Sequence, residues 1–392
     1  MKILLISPTL SADYGGPSKC VLELAHELHR NGIITDVVTA VSEKTDHPRD
    51  WQIKEETYRI KEFSRFATNK FVFSPSLIWW LFNHAADYDI VHLHTLFSPT
   101  ILICEWICRL RGIPYIITLH GMLEPWALSH KAAKKKLYFK LFEKRALQKA
   151  RVVHALTNSE ADSVRRLGVK TEIMIVPNGI EKGSFQVLPD TQILFDRFPE
   201  IKGKTILLFL GRLNPKKGLD LLASAYALVR QRFPQTHLVL AGPDSDGFLP
   251  KVKEYFNKSG CLDFVTFTGM LTGPMKLAAL HSASVYVAPS YSEGFSVSIL
   301  EGMASGLPCV ITTGCNFPEA ADAMTAYVVE ADTIKIADAI NECLGDISKA
   351  KQMGSRARQF IFKRYTWEKV SHEFIEIYKK IGIVKKRDLS LC

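Results

Sequence analysis

Two carboxylates, Glu293 and Glu301, bracket a stretch that reads as the entry to a helix, Gly294-Phe295-Ser296-Val297. Gly294 lets a ligand approach the backbone, and the amides of Phe295, Ser296 and Val297 would be the first-turn donors that lack intrahelical acceptors. Such a group of amides receives anions and hydroxyls. Glu301 lies about 7.5 Å beyond Ser296 along a helix axis rising ~1.5 Å per residue. An extended ligand with phosphates in its middle and hydroxyls at both ends suits that spacing. The plainer alternative is a helix with one acid near its start, favoured by the dipole, and another on its solvated face.

A second group of chemically able residues precedes it. Arg212 and Lys217 stand in Gly211-Arg212-Leu213-Asn214-Pro215-Lys216-Lys217-Gly218, directly after the β-branched and leucine-rich run Thr205 to Leu210. A loop leaving the carboxyl edge of a parallel sheet is where α/β proteins bind ligands. Two cations aimed at one cleft would hold a diphosphate and stabilise its charge as a bond to it breaks. The alternative is a solvated loop with a capping lysine. Gly15 and Gly16, between a strand at Ile3 to Ile6 and the next helix, permit phosphate or acceptor groups near the backbone, or make a plain turn. Their loop is not the G-x-G-x-x-G of a dinucleotide site. His120 ends the strand Tyr115 to Thr118 and is followed by Gly121, a better position for chemistry than mid-helix. His92, His94 and His154 read as structural, as does Thr157-Asn158-Ser159-Glu160, an N-cap box.

The ensemble resembles the family 4 retaining glycosyltransferases. Glu293 and Glu301 match that family's E-x7-E signature, and Gly211 to Gly218 looks like its G-R-L-x-x-x-K-G element, in the expected order over nearly the whole chain. The resemblance implies a GT-B fold, two Rossmann-like domains facing a central cleft, and transfer of a hexosyl group from a UDP- or GDP-sugar. It assigns the diphosphate to Arg212 and Lys217, the sugar to Glu293 and His120, the ribose to Glu301, and the donor phosphates and acceptor to the Gly15-Gly16 loop. Retention follows from the resemblance too. Ser296 departs from the glycine many relatives carry there; its amide remains and its hydroxyl is added, which leaves the sugar's identity open. No paired Asp motif for a divalent metal occurs, so the reaction is expected to need no metal and no cofactor beyond the donor.

The elements that must position these residues follow from pattern. Short β-branched runs alternate with segments of helical period, the grammar of βα units feeding a parallel sheet. Strands are expected at Ile3, Thr35, Ile90, Tyr115, Val152 and Ile173 in the first half, and at Thr205, His237, Val265, Val285, Cys309 and Ala326 in the second. A chain of 392 residues exceeds the size of a single core. The domains expected are 1–182 on the acceptor side and 183–366 for the nucleotide sugar, with Lys182 to Lys204 as linker. A terminal helix, 367–392, has the first domain as its candidate partner.

A formal net charge of +10 suits an anionic partner. Lys131 to Arg145 mixes dense positive charge with large apolar residues at helical spacing, as a helix adhering to an anionic membrane surface does, or one with a basic outer face and an apolar inner one. Nucleic acid is not expected, since no zinc spacing or RNP-like strand is present. The eight cysteines are scattered and read as buried thiols of a cytoplasmic protein. Neither a signal peptide nor a membrane span is expected, so any membrane contact would be peripheral, on the inner face of the cell membrane. The acceptor implied is a saccharide or a lipid-linked one, in polysaccharide or glycolipid synthesis. Rivals are a nucleotide-sugar enzyme that does not transfer, such as an epimerase, a nicotinamide oxidoreductase, disfavoured by the missing fingerprint, and a polyanion or membrane adaptor.

Overall fold

The computed structural model describes residues 1–11, 16–41, 58–68, 71–129, 132–187 and 189–389. The chain forms two compact units, Met1–Gly179 with Trp367–Cys392, and Ile180–Thr366.

The first unit is built on a seven-stranded parallel sheet ordered Arg59–Ser64, Ile34–Val41, Lys2–Ser7, Ile90–His94, Tyr115–Thr118, Val152–Ala155, Ile173–Ile175. Ile3 to Ile6 have no exposed surface, as a central strand covered on both faces requires. Helix Gly16–Arg30 buries Val21, Leu24, Ala25 and Leu28 at helical spacing and stops before Gly32, whose φ of 76° a side chain would resist. The second unit repeats the design with six strands ordered Val265–Gly269, Thr236–Ala241, Thr205–Leu210, Val285–Ala288, Cys309–Thr312, Tyr327–Val329. In both sheets the chain runs outward one way, returns to the centre, and runs out the other way. That reversal opens a crevice at the carboxyl ends of the two central strands.

One expectation changes. Lys182 to Lys204 is no linker: Phe185, Leu194 and Ile201 are buried in the second unit, and Arg358 Nη2 donates to the Phe185 carbonyl at 2.7 Å. Two single 3₁₀ turns and the short helix Gln192–Arg197 carry too little period to be read from sequence. The edge strand Arg59–Ser64 went unread because it is largely exposed and charged, as edges that must not recruit another strand are.

The terminal helix Trp367–Leu389 belongs to the first unit. It buries Val370, Phe374, Ile377, Tyr378 and Ile381 and joins a hydrogen-bonded chain whose direction chemistry dictates. His154 Nε2 lies 2.7 Å from the Val176 carbonyl, which can only accept, so that nitrogen carries hydrogen and Nδ1 is the acceptor. Thr118 Oγ1 therefore donates to His154 Nδ1 at 2.7 Å, His92 Nε2 donates to Thr118 at 2.6 Å, and the Tyr378 hydroxyl donates to His92 Nδ1 at 2.7 Å. All polar atoms of the chain are matched with both imidazoles neutral, and burial depresses both imidazole pKa values, that of His154 to about 4. In the second unit, Ile180 N donates to the Tyr365 carbonyl at 2.9 Å and Ile180 bridges Thr366 in parallel, so the residues that enter and leave that unit lie side by side.

Tyr378→Phe keeps the ring and strands a buried imidazole nitrogen. It is expected to cost about 1–3 kcal/mol, read as a lower Tm of cooperative unfolding; an unchanged Tm would refute the hydroxyl's part in the chain.

Candidate active site

In the second unit the two central strands end at Leu210 and Ala288, and the loops that leave them carry the expected cations and the first expected carboxylate. Gly211 N extends the ladder to the Ala241 carbonyl at 2.9 Å. The Asn214 side chain accepts from Lys216 N at 3.0 Å, closing the 3₁₀ turn Pro215–Lys217. Gly218 follows at φ 65°, where a Cβ would collide with the Pro289 carbonyl of the neighbouring loop. Only glycine lets these two loops touch, and that contact brings Lys217 against Glu293.

Glu293 is 6% exposed. Its Oε1 accepts from Lys217 Nζ at 2.5 Å and from Ser290 Oγ at 2.7 Å, and Lys216 Nζ lies 3.8 Å from Oε2. The backbone is pinned as well: Glu293 N donates to the Gly314 carbonyl at 2.8 Å, and Asn316 Nδ2 donates to the Glu293 carbonyl at 2.6 Å. Burial pushes the carboxyl up, but the ammonium groups of Lys217 and Lys216, with the hydrogen bonds from Lys217 and Ser290, hold it down at about 2. Lys216 is lowered on balance: Glu293 raises it, while burial and the charges of Lys217 and Arg212 pull it down. Two ammonium groups thus gather around one carboxylate, with the charge of Arg212 acting on Lys216 beside them, and the surplus positive charge suits a diphosphate.

The helix begins later than expected, at Val297, with Ser296 as its cap residue. Phe295 is not in the first turn; its ring is buried against Phe317, centroids 5.1 Å apart. Gly294 and Phe295 form the approach, and the donor-rich turn starts at Ser296 and Val297. Glu301 is not on a solvated face. It is 5% exposed and its Oε1 accepts from Lys276 Nζ at 2.7 Å. Lys216 and Lys276 are the charged residues the sequence reading missed. Lys216 was signalled by its adjacency to Lys217; Lys276, on the separate helix Gly273–Ser282, had no spacing to betray it.

In the first unit, His120 sits where the strand Tyr115–Thr118 ends, in left-handed conformation with φ 52°, followed by Gly121 at 76°. Its Nε2 lies 3.2 Å from Nδ1 of His94, at the end of the strand beside it. Burial, then the charge of His154, lowers the His120 imidazole to about 3, so it is neutral at physiological pH. The loop after His94 is equally strained, with Thr95 at φ 75° and Phe97 at 58°. Gly16 opens its helix, and a Cβ there would meet no neighbouring atom of the described residues within 4 Å. Gly15 lies outside the described residues. The box at Thr157 is half formed: Thr157 Oγ1 accepts from Glu160 N at 3.2 Å, but the Glu160 carboxyl turns away from its own helix.

Each unit matches a family model. Residues 204–346 match Glycosyl transferases group 1, and residues 14–183 match Glycosyltransferase Family 4. The chain belongs to the family 4 glycosyltransferases. This glycosyltransferase is similar to the phosphatidyl-myo-inositol mannosyltransferase of Mycobacterium leprae, 25% identical over 407 residues with 97% of each chain covered. It is also similar to the alpha-monoglucosyldiacylglycerol synthase of Streptococcus pneumoniae, 28% identical over 324 residues, covering 79% of this chain and 70% of that protein. Among solved structures it shares its two-domain Rossmann-like GT-B fold with Anabaena HepE in complex with UDP and glucose, at TM-score 0.80 and 18% identity, covering 97% of this chain and 100% of that one.

Glu293, held at about 2, contributes stability that is complete above the unfolded value of about 4.3 and lost as pH falls toward 2. Lys217→Met leaves a buried carboxylate with the Ser290 hydroxyl and, as its nearest ion-pair partner, the more distant Lys216. The variant is expected to be less stable at pH 7 by about 3 kcal/mol, with the deficit shrinking below about pH 4 as the carboxyl protonates. Urea denaturation at both pH values measures this, and a pH-independent deficit would contradict the pairing.

Proposed function

We propose that this glycosyltransferase is a retaining, metal-independent hexosyltransferase that uses a UDP- or GDP-sugar and acts on a sugar or lipid-linked acceptor in polysaccharide or glycolipid synthesis. The observation that carries the reading is the buried Glu293 paired with Lys217 and Lys216, with the charge of Arg212 acting on Lys216, at the switch point of the second sheet. The cations take the diphosphate and offset the charge that grows on it as the glycosidic bond breaks. A carboxylate held at about 2 and committed to Lys217 and Ser290 is a poor base and a poor nucleophile. Glu293 therefore binds sugar hydroxyls, and no enzymic nucleophile is invoked. The acceptor oxygen attacks the anomeric carbon on the face the diphosphate leaves, and its proton passes to the departing phosphate oxygen. His120 meets the transferred sugar as a neutral hydrogen-bonding group, Gly294, Ser296 and Val297 offer backbone, and Glu301, oriented by Lys276, takes the ribose hydroxyls.

Turnover assays with UDP- and GDP-hexoses test this, the donor being chosen as the one that raises Tm most. Glu293→Gln and Lys217→Ala are expected to lower kcat by about 10²–10³-fold. NMR of the product should show the donor's anomeric configuration, and EDTA should leave the rate unchanged. Inversion, or an epimerised nucleotide sugar without release of nucleoside diphosphate, would defeat the proposal.

The acceptor is assigned to the surface of an anionic membrane, with the enzyme peripheral on its cytoplasmic side. No helix of the described residues is long and apolar enough to cross a membrane. The relatives named above act, by name, on phosphatidyl-myo-inositol and make a glucosyldiacylglycerol. Within Lys131 to Arg145, helix Ala132–Tyr138 continues through a π turn, Phe139–Glu143. Phe139 and Glu143 face inward, while Leu137, Leu141 and Phe142 are 59%, 57% and 45% exposed, interleaved with exposed Lys136 and Lys140. An outer face both basic and apolar is what an anionic bilayer surface holds. Beside it a cavity of about 420 Å³, lined by Leu123, Leu128 and Leu167 with Lys136 and Arg166, has room for part of an acyl chain.

The enzyme is expected to float with phosphatidylglycerol vesicles and not with phosphatidylcholine. Replacing Lys136 and Lys140 with Gln should weaken binding roughly 30-fold, at about 1 kcal/mol per basic residue. Equal failure to bind both vesicles would remove the membrane from the proposal.

A further inference from the structure

Glu160 has no exposed surface and stands in the third position of the helix whose cap is Thr157. A glutamate there ordinarily reaches back to the amide of its own cap residue. Here Oε2 accepts from Leu156 N at 2.8 Å, and Oε1 leaves the helix to accept from Gly121 N at 2.5 Å. The carboxyl thus joins the loops that leave two adjacent strands, Tyr115–Thr118 and Val152–Ala155.

Only a carboxylate can do this. Both partners are donors, and a glutamine would turn its own N–H₂ toward one of them. Among the described residues no cation acts on Glu160; its charged neighbour is Glu124, and burial with that repulsion raises the carboxyl to about 7. Burying an acid without a counterion is costly, and the turn it holds is strained. His120, at φ 52°, occupies a region that persists only where surrounding contacts over-determine it. In a planar trans peptide the N–H and the preceding C=O point in opposite directions. Fixing Gly121 N–H inward therefore fixes the His120 carbonyl outward, and with it the frame from which the imidazole projects.

We infer that Glu160 is the positioning residue of the His120 turn, its two oxygens setting the orientation of the peptide between His120 and Gly121. The inference rests on the proposal that His120 meets the transferred sugar, and it adds a residue that touches neither donor nor acceptor.

The test uses the full chain and two readouts. In ¹⁵N-resolved NMR of the wild type, recorded above the carboxyl's value of about 7 so that Glu160 is ionised, the Gly121 amide proton should lie far downfield, as a charge-assisted bond requires, and move upfield in Glu160→Gln. With UDP-glucose or GDP-mannose, whichever supports turnover, Glu160→Gln should lose about 10- to 100-fold in kcat with donor KM within about twofold of wild type. Glu160→Asp, which keeps two acceptor oxygens, should recover part of the loss. Thr157→Ala weakens the start of the same helix without touching Gly121, and should lower Tm while leaving kcat unchanged. An ordinary Gly121 shift in the wild type, or full kcat in Glu160→Gln, overturns the inference. Should Glu160→Gln fail to fold, the wild-type shift and the Asp variant decide it. Full turnover in His120→Ala with the Gly121 shift as expected would instead defeat the role given to His120.

Discussion

Glu293 can be buried as an anion only because Lys217 lies against it. Desolvation alone would drive the carboxyl toward its neutral form, and the two ammonium groups reverse that. The pair does more than neutralise charge. Its members leave different strands, so it fastens the two loops that flank the switch point, and Gly218 supplies the clearance that lets them meet. An ion pair built this way is poor value for stability, since apolar residues of equal volume would hold the loops as well. Its worth lies in keeping cations oriented and partly desolvated at the mouth of a crevice, where an anion could meet them without the cost of reorganisation.

The first unit treats its own switch point differently. Instead of cations it concentrates neutral imidazoles and left-handed backbone: His92 and His94 on one strand, His120 on the turn beside them, His154 on the next strand. Burial keeps the protons off all four. The two sheets share a topology while their crevices carry opposite characters, one electrostatic and one made of hydrogen-bonding groups with little charge.

Much of this was legible before any coordinates. Strands announced themselves through β-branched runs because both faces of a parallel sheet are buried, and Lys217 and Glu293 stood at loop positions that the topology brings together. What escaped had no local signature. Lys276 meets Glu301 across a separation of 25 residues. The Glu160 carboxyl obeys its helix in sequence and another strand's loop in space. The segment after Gly179 looks like a linker because its buried residues, Phe185, Leu194 and Ile201, are spaced too irregularly for any period. Pattern reveals elements that repeat, whereas long-range polar contacts are specified one at a time.

The parallel bridge between Ile180 and Thr366 has a topological consequence. The second unit is an insertion whose two ends are neighbours, so the gene encodes one domain interrupted by another rather than two in tandem. The segment between the bridged residues has the geometry of an independently expressible module, and its removal would leave a gap in the host that a short peptide could close. A ribosome must also finish the inserted domain before the helix that completes the first one emerges, which makes the first-begun domain the last to be assembled.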